Sequence, residues 1–214
     1  MVCYAYLEDV EPSNWTYNLL LLGSSRWFTR GWTLQELLVP AKVLFYGKGW
    51  TILGTKHSLA AITSDITLIP VETLKGRSLL TASVAQKMSW LSARNTTHVE
   101  DLAYCMLGIF DLNIPLLYGE GPKAFLRLRE EITRVSNDSI IFCWSWIPEY
   151  VLENWTSMLA PLPRLFQDAG DYAEAIDFEE AAVYSMANAG LSIHLSKAAT
   201  SIYSLVILKV RRTG

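Results

Sequence analysis

A short run at the start of the chain, VCYAYL (residues 2–7), restricts the fold more than any other stretch. Its β-branched and aromatic residues, followed by the polar EDVEPSN, predict a buried strand. The backbone of a buried strand needs hydrogen-bonding neighbours, usually on both sides, yet almost no sequence precedes this one. We therefore expect an open sheet edge beside residues 2–7.

The next segments predict a helix and a hairpin. A helix is expected from about Ser25 to Val39, because RGWTLQELLVP has an amphipathic pattern that Pro40 ends. KVLFYGKGWTILGTK contains two β-rich runs about a Gly-Lys-Gly turn, which is typical of a β-hairpin. The segment SLAAITSDI (58–66) is a short helix candidate.

Two capping patterns predict the helices that follow. Ser83 and Gln86 have the spacing of a capping box, in which each side chain binds a backbone N–H near the other residue. Thr97 and Glu100 repeat the pattern ahead of LAYCMLGIF, which is apolar nearly all round and predicts one central helix. The first helix has a one-sided apolar stripe of Val84, Met88 and Leu91.

A further helix is predicted to begin at Pro122, since proline at the first helical position sacrifices no hydrogen bond. On its solvated side, Glu130 and Arg134 are correctly ordered for an i,i+4 ion pair. The preceding YGEG (118–121) lacks the Lys-Ser/Thr of a phosphate loop, so a tight turn is expected there. The apolar stripe of this helix consists of Phe125, Leu128, Ile132 and Val135.

The character of the sequence changes after residue 138. SIIFCWSW (139–146) is a strand candidate, and APLPRLFQDAG (160–170) has room for one helical turn. AAVYSMANAGLSIHLS and SIYSLVILKV predict antiparallel strands joined by turns. We therefore expect an α+β (mixed α/β) fold with a helix-rich part, residues 1–148, and a β-rich part, residues 149–214.

Composition excludes several classes of function. A net charge of −3 does not favour nucleic-acid binding driven by phosphate attraction. Three cysteines without C-x-x-C spacing and three widely separated histidines predict no metal site. The apolar stretches are too short to span a bilayer, and the N-terminus has no signal-peptide pattern. We expect a cytoplasmic protein without metal, nucleic-acid partner or membrane association.

Successive blocks of the sequence resemble the fungal heterokaryon-incompatibility (HET) domain family. They are SRWFTRGWTLQELLVP, VLFYGKGWTILGTK, ASVAQKMSWLSARNTTHVEDLAYCMLGIFDLNIPLLYGEGPKAFLRLREEI and SIIFCWSW. The opening VCYAYLEDV also fits, so the likeness covers about residues 2–146. The tail is similar to the β-rich extension that often follows such domains.

The sequence departs from the family pattern in two places. Two strands that usually precede the VCYAYL block are missing, and His98 stands where an arginine is expected. The resemblance therefore implies a HET domain that lacks its N-terminal strands, followed by a β-rich extension whose completeness the sequence leaves open.

The resemblance also implies a distant likeness to TIR domains, α/β modules of which several cleave NAD at the nicotinamide–ribose bond. In those relatives a helix carries a W-C-x-x-E pattern, to which WTLQE (32–36) is similar. Glu36 is therefore the candidate catalytic residue, and Trp32, one helical turn away, is expected to shape the pocket wall. A carboxylate at this place would stabilise oxocarbenium charge on the ribose. NAD is then a substrate, and no cofactor is expected.

Two arginines beside the predicted helix start are further candidates. Arg26 and Arg30 have a charge that suits the phosphates of the substrate, although cations are not favoured near a helix N-terminus. The alternative is that both arginines pair with carboxylates elsewhere in the fold.

Three charged residues are expected to form a structural motif rather than a site. Within it, Glu100 is the predicted capping partner of Thr97, and Asp101 favours the positive end of the helix dipole. The arginine of the motif is expected to bridge to one of these two acids. The motif consists of Arg94, Glu100 and Asp101.

Three functions remain open at this point. The first is an incompatibility effector that triggers programmed cell death; a complete domain would be an NAD glycohydrolase, whereas the truncated chain is expected to be inactive. The second is a non-enzymatic module that binds other HET or TIR-like domains, fused sensor modules, or a second copy through its exposed strand edge. The third is an inactive fragment of a larger protein.

Overall fold

The computed structural model describes residues 2–12, 19–151 and 153–174, together with the backbone of five strands between residues 184 and 212. The fold is α+β, as the sequence predicts. The helices are α1 (Leu19–Gly23), α2 (Thr33–Leu38), α3 (Ala60–Thr67), α4 (Val71–Leu74), α5 (Val84–Ser92), α6 (Asp101–Tyr104), α7 (Leu107–Phe110) and α8 (Lys123–Val135). The strands are β1 (Val2–Tyr6), β2 (Lys42–Tyr46), β3 (Ile52–Thr55), β4 (Tyr172–Glu174), β5 (Tyr184–Ala187), β6 (Gly190–Ile193), β7 (Ser196–Ala199), β8 (Ser204–Ile207) and β9 (Val210–Arg212).

The first three strands form one mixed sheet in the order β1-β2-β3. β1 runs parallel to β2, and β3 is antiparallel to β2, which confirms the predicted first strand and hairpin. The predicted burial of the first strand is wrong, because within β1 only Ala5 is buried and Tyr4 is 62% exposed. The hairpin turn places Gly49 and Trp50 at φ 69° and 61°. Among the residues that the structure describes, β2 is the one strand paired with β1, so β1 forms an edge of this sheet. The core face of the sheet carries Ala5, Val43, Phe45 and Leu53.

The helix predicted from Ser25 to Val39 is wrong in its first half. Residues Arg26–Thr29 form a 3₁₀ turn that Ser25 caps, and the α-helix begins only at Thr33. Between them Arg30 is extended, because its backbone forms a parallel bridge with Asn95. This tertiary pairing competes with helix formation and replaces the local hydrogen bonds. The predicted end before Pro40 is confirmed.

The single central helix predicted for LAYCMLGIF is also divided in two. Between α6 and α7 the N–H of Met106 donates to the Ala103 carbonyl at 3.0 Å, a three-residue spacing that interrupts the α-helical ladder. The segment is nevertheless central, as predicted. Its buried residues are Ala103, Tyr104, Cys105, Met106 and Ile109.

The helices α5 and α8 follow the sequence closely. α5 has the complete capping box of Ser83 and Gln86, and its predicted apolar stripe is buried. In α8 the stripe is buried except for Val135, which is 62% exposed because it is the last helical residue. Arg134 pairs with Glu131 at 3.0 Å, so the predicted pairing with Glu130 is wrong.

The strand predicted over residues 139–146 is absent from the described structure; Ser139–Phe142 form a 3₁₀ turn instead. Asp138 caps this turn, since its carboxylate accepts a hydrogen bond from the N–H of Ile140 at 2.9 Å. Apolar residues of the turn, including Ile141, are fully buried. A short apolar run does not by itself distinguish strand from helix, and here the side-chain cap decides for the turn.

The part after residue 148 has the one helical turn that was predicted, at Pro163–Phe166. The described strands of the tail are antiparallel pairs, β4 with β9, β5 with β6 and β7 with β8, which confirms their predicted type. The division near residue 148 stays a prediction, although the buried Arg129 guanidinium donates to the Ala160 carbonyl across it. Within the described residues, no helix has the length and apolar character needed to cross a membrane.

Candidate functional site

A cleft of about 800 Å³ opens at the carboxyl end of β1. Three segments surround it: residues 6–9 at the end of β1 and just after it, residues 26–32 before α2, and residues 95–98 together with Asp101. Ligands of parallel sheets bind outside the carboxyl ends of the strands, so this is where a site is expected. Of the predicted site residues, the cleft brings together Arg26, Arg30, Trp32 and Asp101.

The segments before α2 and after α5 meet through backbone hydrogen bonds. The N–H of Gly31 donates to the Asn95 carbonyl at 2.8 Å, and the N–H of Asn95 donates to the Thr29 carbonyl at 2.7 Å. The absence of a side chain at Gly31 allows this approach, because a Cβ atom there would overlap the Cγ2 atom of Thr96 and touch Cys105 Sγ at 3.4 Å. This close approach places residues 95–98 opposite the strand end.

Arg26 is held by carboxylates rather than left open for phosphate. Its guanidinium forms an ion pair with Glu8, and its backbone N–H donates to Asp9 Oδ2 at 2.8 Å. Burial alone would raise the pKa of Asp9, but the hydrogen bonds from the Arg26 N–H and the Ser25 hydroxyl outweigh it and lower that pKa. The predicted alternative, pairing with acids elsewhere in the fold, is therefore the one that Arg26 follows.

The side chains of Arg30 and Trp32 line the cleft and are accessible to a ligand. Arg30 is exposed, and in the described part of the chain its side chain has no ion pair or hydrogen bond. The Trp32 residue is 36% exposed and stands at the N-terminal boundary of α2. An unpaired guanidinium beside an accessible indole is suited to an anionic ligand that also has a flat ring.

Glu36 lies one turn beyond Trp32 on α2, and its backbone N–H approaches the Trp32 carbonyl at 3.5 Å. It is exposed and is not one of the described residues that line the cleft. Burial raises the pKa of the nearby Cys3 thiol, and the negative charge of Glu36 raises it further. Within the described chain its carboxylate has no hydrogen bond or ion pair, so the catalytic role of Glu36 stays a prediction.

Both ends of the segment that carries Trp32 and Glu36 are fixed by buried cations. Arg94 donates to the Arg30 carbonyl and to Thr33 Oγ1, each at 2.9 Å, and burial lowers its pKa to about 10. At the other end of α2, the Lys56 ammonium donates to the carbonyls of Leu37 and Pro40 at 3.0 and 2.6 Å. The Lys56 ammonium thus binds carbonyls at the C-terminal end of α2, where a helix leaves its last carbonyls without partners.

Arg94 does not make the predicted bridge to an acid. Its Nε atom donates to a third acceptor, the Trp90 carbonyl of α5, at 3.2 Å. All the acceptors of this guanidinium are therefore uncharged oxygens. The prediction failed because a chain contact, the bridge between residues 30 and 95, brought carbonyls closer to it than carboxylates.

Glu100 is not the capping partner of Thr97, so that prediction is wrong. Its Oε1 atom accepts hydrogen bonds from the backbone N–H groups of Gly119 and Gly121 at 2.8 and 3.0 Å. Hydrogen bonds from its own N–H and from these two groups lower the pKa of Glu100. The two glycines have φ 96° and 63°, which confirms the predicted tight turn at residues 118–121.

Asp101 and His98 complete the cleft on the side opposite β1. Asp101 Oδ1 accepts a hydrogen bond from the Tyr118 hydroxyl at 2.9 Å, and this bond raises the pKa of Tyr118. The His98 ring packs edge-on against Tyr118 with centroids 5.6 Å apart. The sequence marks His98 only as a departure from a pattern, and it assigns Asp101 to structure. In the described part of the chain, no cluster of three His, Cys, Asp or Glu residues could hold a metal ion.

Comparison with known proteins identifies a relative for most of the chain. Over 141 residues it is 45% identical to the vegetative incompatibility protein HET-E-1 of Podospora anserina. The match covers 61% of this chain and 10% of the relative, so the chain spans about a tenth of the length of the curated relative it matches. No protein-family profile matches the chain, and no solved structure does. The predicted relationship to fungal heterokaryon-incompatibility proteins is confirmed.

Proposed function

We propose that the chain is a segment of a fungal heterokaryon-incompatibility protein, acting in the cytoplasm as an effector of non-self recognition that triggers programmed cell death. The observation that carries the proposal is the 45% identity over 141 residues to a protein named for vegetative incompatibility. The match covers a tenth of the relative, and we propose that other parts of such a protein recognise the trigger.

The proposed effector reaction is TIR-like hydrolysis of NAD in the cleft beside β1. Water adds to C1′ of the nicotinamide ribose as its bond to nicotinamide breaks, and the products are ADP-ribose, nicotinamide and a proton. The exposed guanidinium of Arg30 supports binding of the diphosphate, and the indole of Trp32 supports packing against a flat ring. Arg26 contributes less, because Glu8 and Asp9 already hold it.

Glu36 is proposed to stabilise the oxocarbenium charge of this reaction. The three acids that line the cleft are engaged: Glu8 with Arg26, Asp9 with Ser25, and Asp101 with Tyr118. The Glu36 carboxylate has no competing partner in the described chain and lies one turn past Trp32. The proposal therefore requires the ribose to extend beyond Trp32, over the exposed face of α2.

Inducible expression of the 214 residues in a fungal host tests both the effector role and the NAD reaction. Cellular NAD and viability are measured together. Because the cleft keeps the open Arg30 guanidinium beside Trp32, we propose that the chain is active, in contrast to the inactivity expected from the sequence. NAD should then fall before viability does, and Glu36→Gln should slow the fall by about a hundredfold or more. The matched control is Glu72→Gln, which removes the charge of an exposed acid on α4. Death without loss of NAD would reject the enzymatic proposal and leave the effector role standing.

A second candidate function is assembly without chemistry, and the edge strand β1 favours it. Its outward side chains include Tyr4, 62% exposed, and β2 is its one partner in the described sheet. An unpaired edge can add a strand from another HET or TIR-like domain or from a second copy. Light scattering of the purified chain should then show self-association that Tyr4→Glu abolishes. Insolubility of the unaltered chain alone would favour an inactive fragment.

A further inference from the structure

A second cleft, of about 520 Å³, lies where the start of α5, the end of α7 and the end of α8 meet. None of its described lining residues belongs to the cleft beside β1. Its volume falls within the range of about 300–1,000 Å³ that is usual for small-molecule sites. Its apolar wall includes Leu80, Phe110, Ile132 and Val135.

Lys87 supplies a cation to this cleft from the buried side of α5. The residue is 7% exposed, and its ammonium lies 5.0 Å from the centroid of the Phe110 ring. In the described part of the chain, the ammonium makes no ion pair, and it is not among the fully buried polar atoms that lack a partner, so it keeps contact with solvent. The ring contact compensates only part of the hydration that is lost when this side chain is largely buried.

Asp138 is the acid whose charge acts on Lys87, but the two residues form no ion pair in the described chain. Asp138 Oδ2 accepts a hydrogen bond from the Val84 N–H at 2.6 Å, and Oδ1 accepts one from the Ile140 N–H at 2.9 Å. Its carboxylate thus holds together the start of α5 and the 3₁₀ turn at 139–142. Burial lowers the pKa of Lys87, while the charge of Asp138 raises it and favours the ammonium.

The rim of the cleft is open to solvent and combines apolar side chains with the polar Thr81 and Asn137. Leu80 is 86% exposed and Val135 is 62% exposed, although both line a concave surface. Apolar side chains beside a buried cation suit a ligand that has one charged end and a hydrocarbon body. Among the described lining residues Lys87 is the one basic side chain, and an acid is present, so a singly charged group fits better than a phosphate dianion.

We propose that this cleft binds a monocarboxylate with an apolar stem, independently of the function proposed above. Its carboxylate pairs with the Lys87 ammonium, and its stem packs against Leu80, Ile132 and Val135. The carboxylate replaces hydration that the ammonium has lost on burial. The ion pair and the apolar contacts of the stem therefore both stabilise the same bound ligand.

Isothermal titration of the full chain with octanoate, and in parallel with the neutral octanamide, tests the proposal. We expect octanoate to bind at least about tenfold more tightly than octanamide, because a charge-assisted contact is lost with the amide. Lys87→Met should abolish this preference while keeping the length and volume of the side chain. The matched control is Lys75→Met, which removes an exposed lysine outside the cleft and should leave octanoate binding unchanged.

Equal binding of octanoate and octanamide, no binding of either, or an unchanged preference in Lys87→Met would each overturn the proposal. The comparison of the two ligands on the unaltered chain does not depend on whether the variant folds. Val135→Trp gives an independent check on location, since a larger side chain at the exposed rim should weaken octanoate binding without touching the charge. Failure of these tests leaves the NAD proposal unaffected, because the two clefts have different lining residues.

Discussion

At the scale of residues, the cleft beside β1 depends on a buried charge that does not face it. The Arg94 guanidinium ties the carbonyl of Arg30 and the hydroxyl of Thr33 to the end of α5. Its pKa of about 10 leaves it charged at neutral pH, and hydrogen bonds to a charged donor are stronger than neutral ones. The open guanidinium of Arg30 and the indole of Trp32 therefore project from a loop fixed from behind.

Gly31 is the residue at which this loop approaches its neighbour most closely. Gly31→Ala should lower the free energy of unfolding by about 1–3 kcal/mol, because the new methyl group overlaps Thr96 Cγ2. Urea denaturation measures the loss. Thr96→Ser removes that methyl group but keeps the hydroxyl that donates to the His98 carbonyl, so the double variant should regain most of the stability. A double variant as unstable as Gly31→Ala would show that the overlap is not the cause.

At the scale of elements, several local signals predicted the structure correctly, whereas contacts between distant segments could not be predicted. The capping box of α5, the hairpin and the proline end of α2 are each specified by residues within a few positions. The loss of helix at residues 30–32 comes from pairing with Asn95, a contact that periodicity cannot show. Arg26, Arg30 and Trp32 lie close together in the sequence, so they could be predicted as one group. Asp101 belongs to a distant segment, and its approach to the cleft could not be predicted.

The hydrogen bonds from the Gly119 and Gly121 N–H groups to Glu100 should make the stability of the chain depend on pH. The folded pKa of Glu100 is lowered, so its stabilisation is fully present above the ordinary value of 4.5 and is lost as pH falls through the folded value. Urea unfolding at neutral pH and at about pH 3 should show the unaltered chain losing stability on acidification. Glu100→Gln should be less stable at neutral pH, with a difference from the unaltered chain that narrows in acid. A constant difference would place the effect outside the Glu100 carboxylate.

At the scale of the whole molecule, the described residues share one core that continues past residue 148. Leu128 and Phe166 are fully buried in the same cluster, and the Arg129 guanidinium joins α8 to the Ala160 carbonyl. The 3₁₀ turn Pro163–Phe166 also packs against α5. A division of the sequence by composition, helix-rich before and β-rich after, therefore need not coincide with a division in folding.

Core truncations on either side of residue 148 distinguish one folding unit from two. Phe166→Ala and Leu128→Ala should each lower the free energy of unfolding by about 2–5 kcal/mol, since both side chains are fully buried. If the core is continuous, each variant shifts one common transition, and tryptophan fluorescence and far-ultraviolet circular dichroism report the same midpoint. A Phe166→Ala transition that separates from the one affected by Leu128→Ala would instead make residues 1–148 an independent folding unit. We expect the single transition, because the contacts that cross residue 148 are buried and one of them is a charged hydrogen bond to a backbone carbonyl.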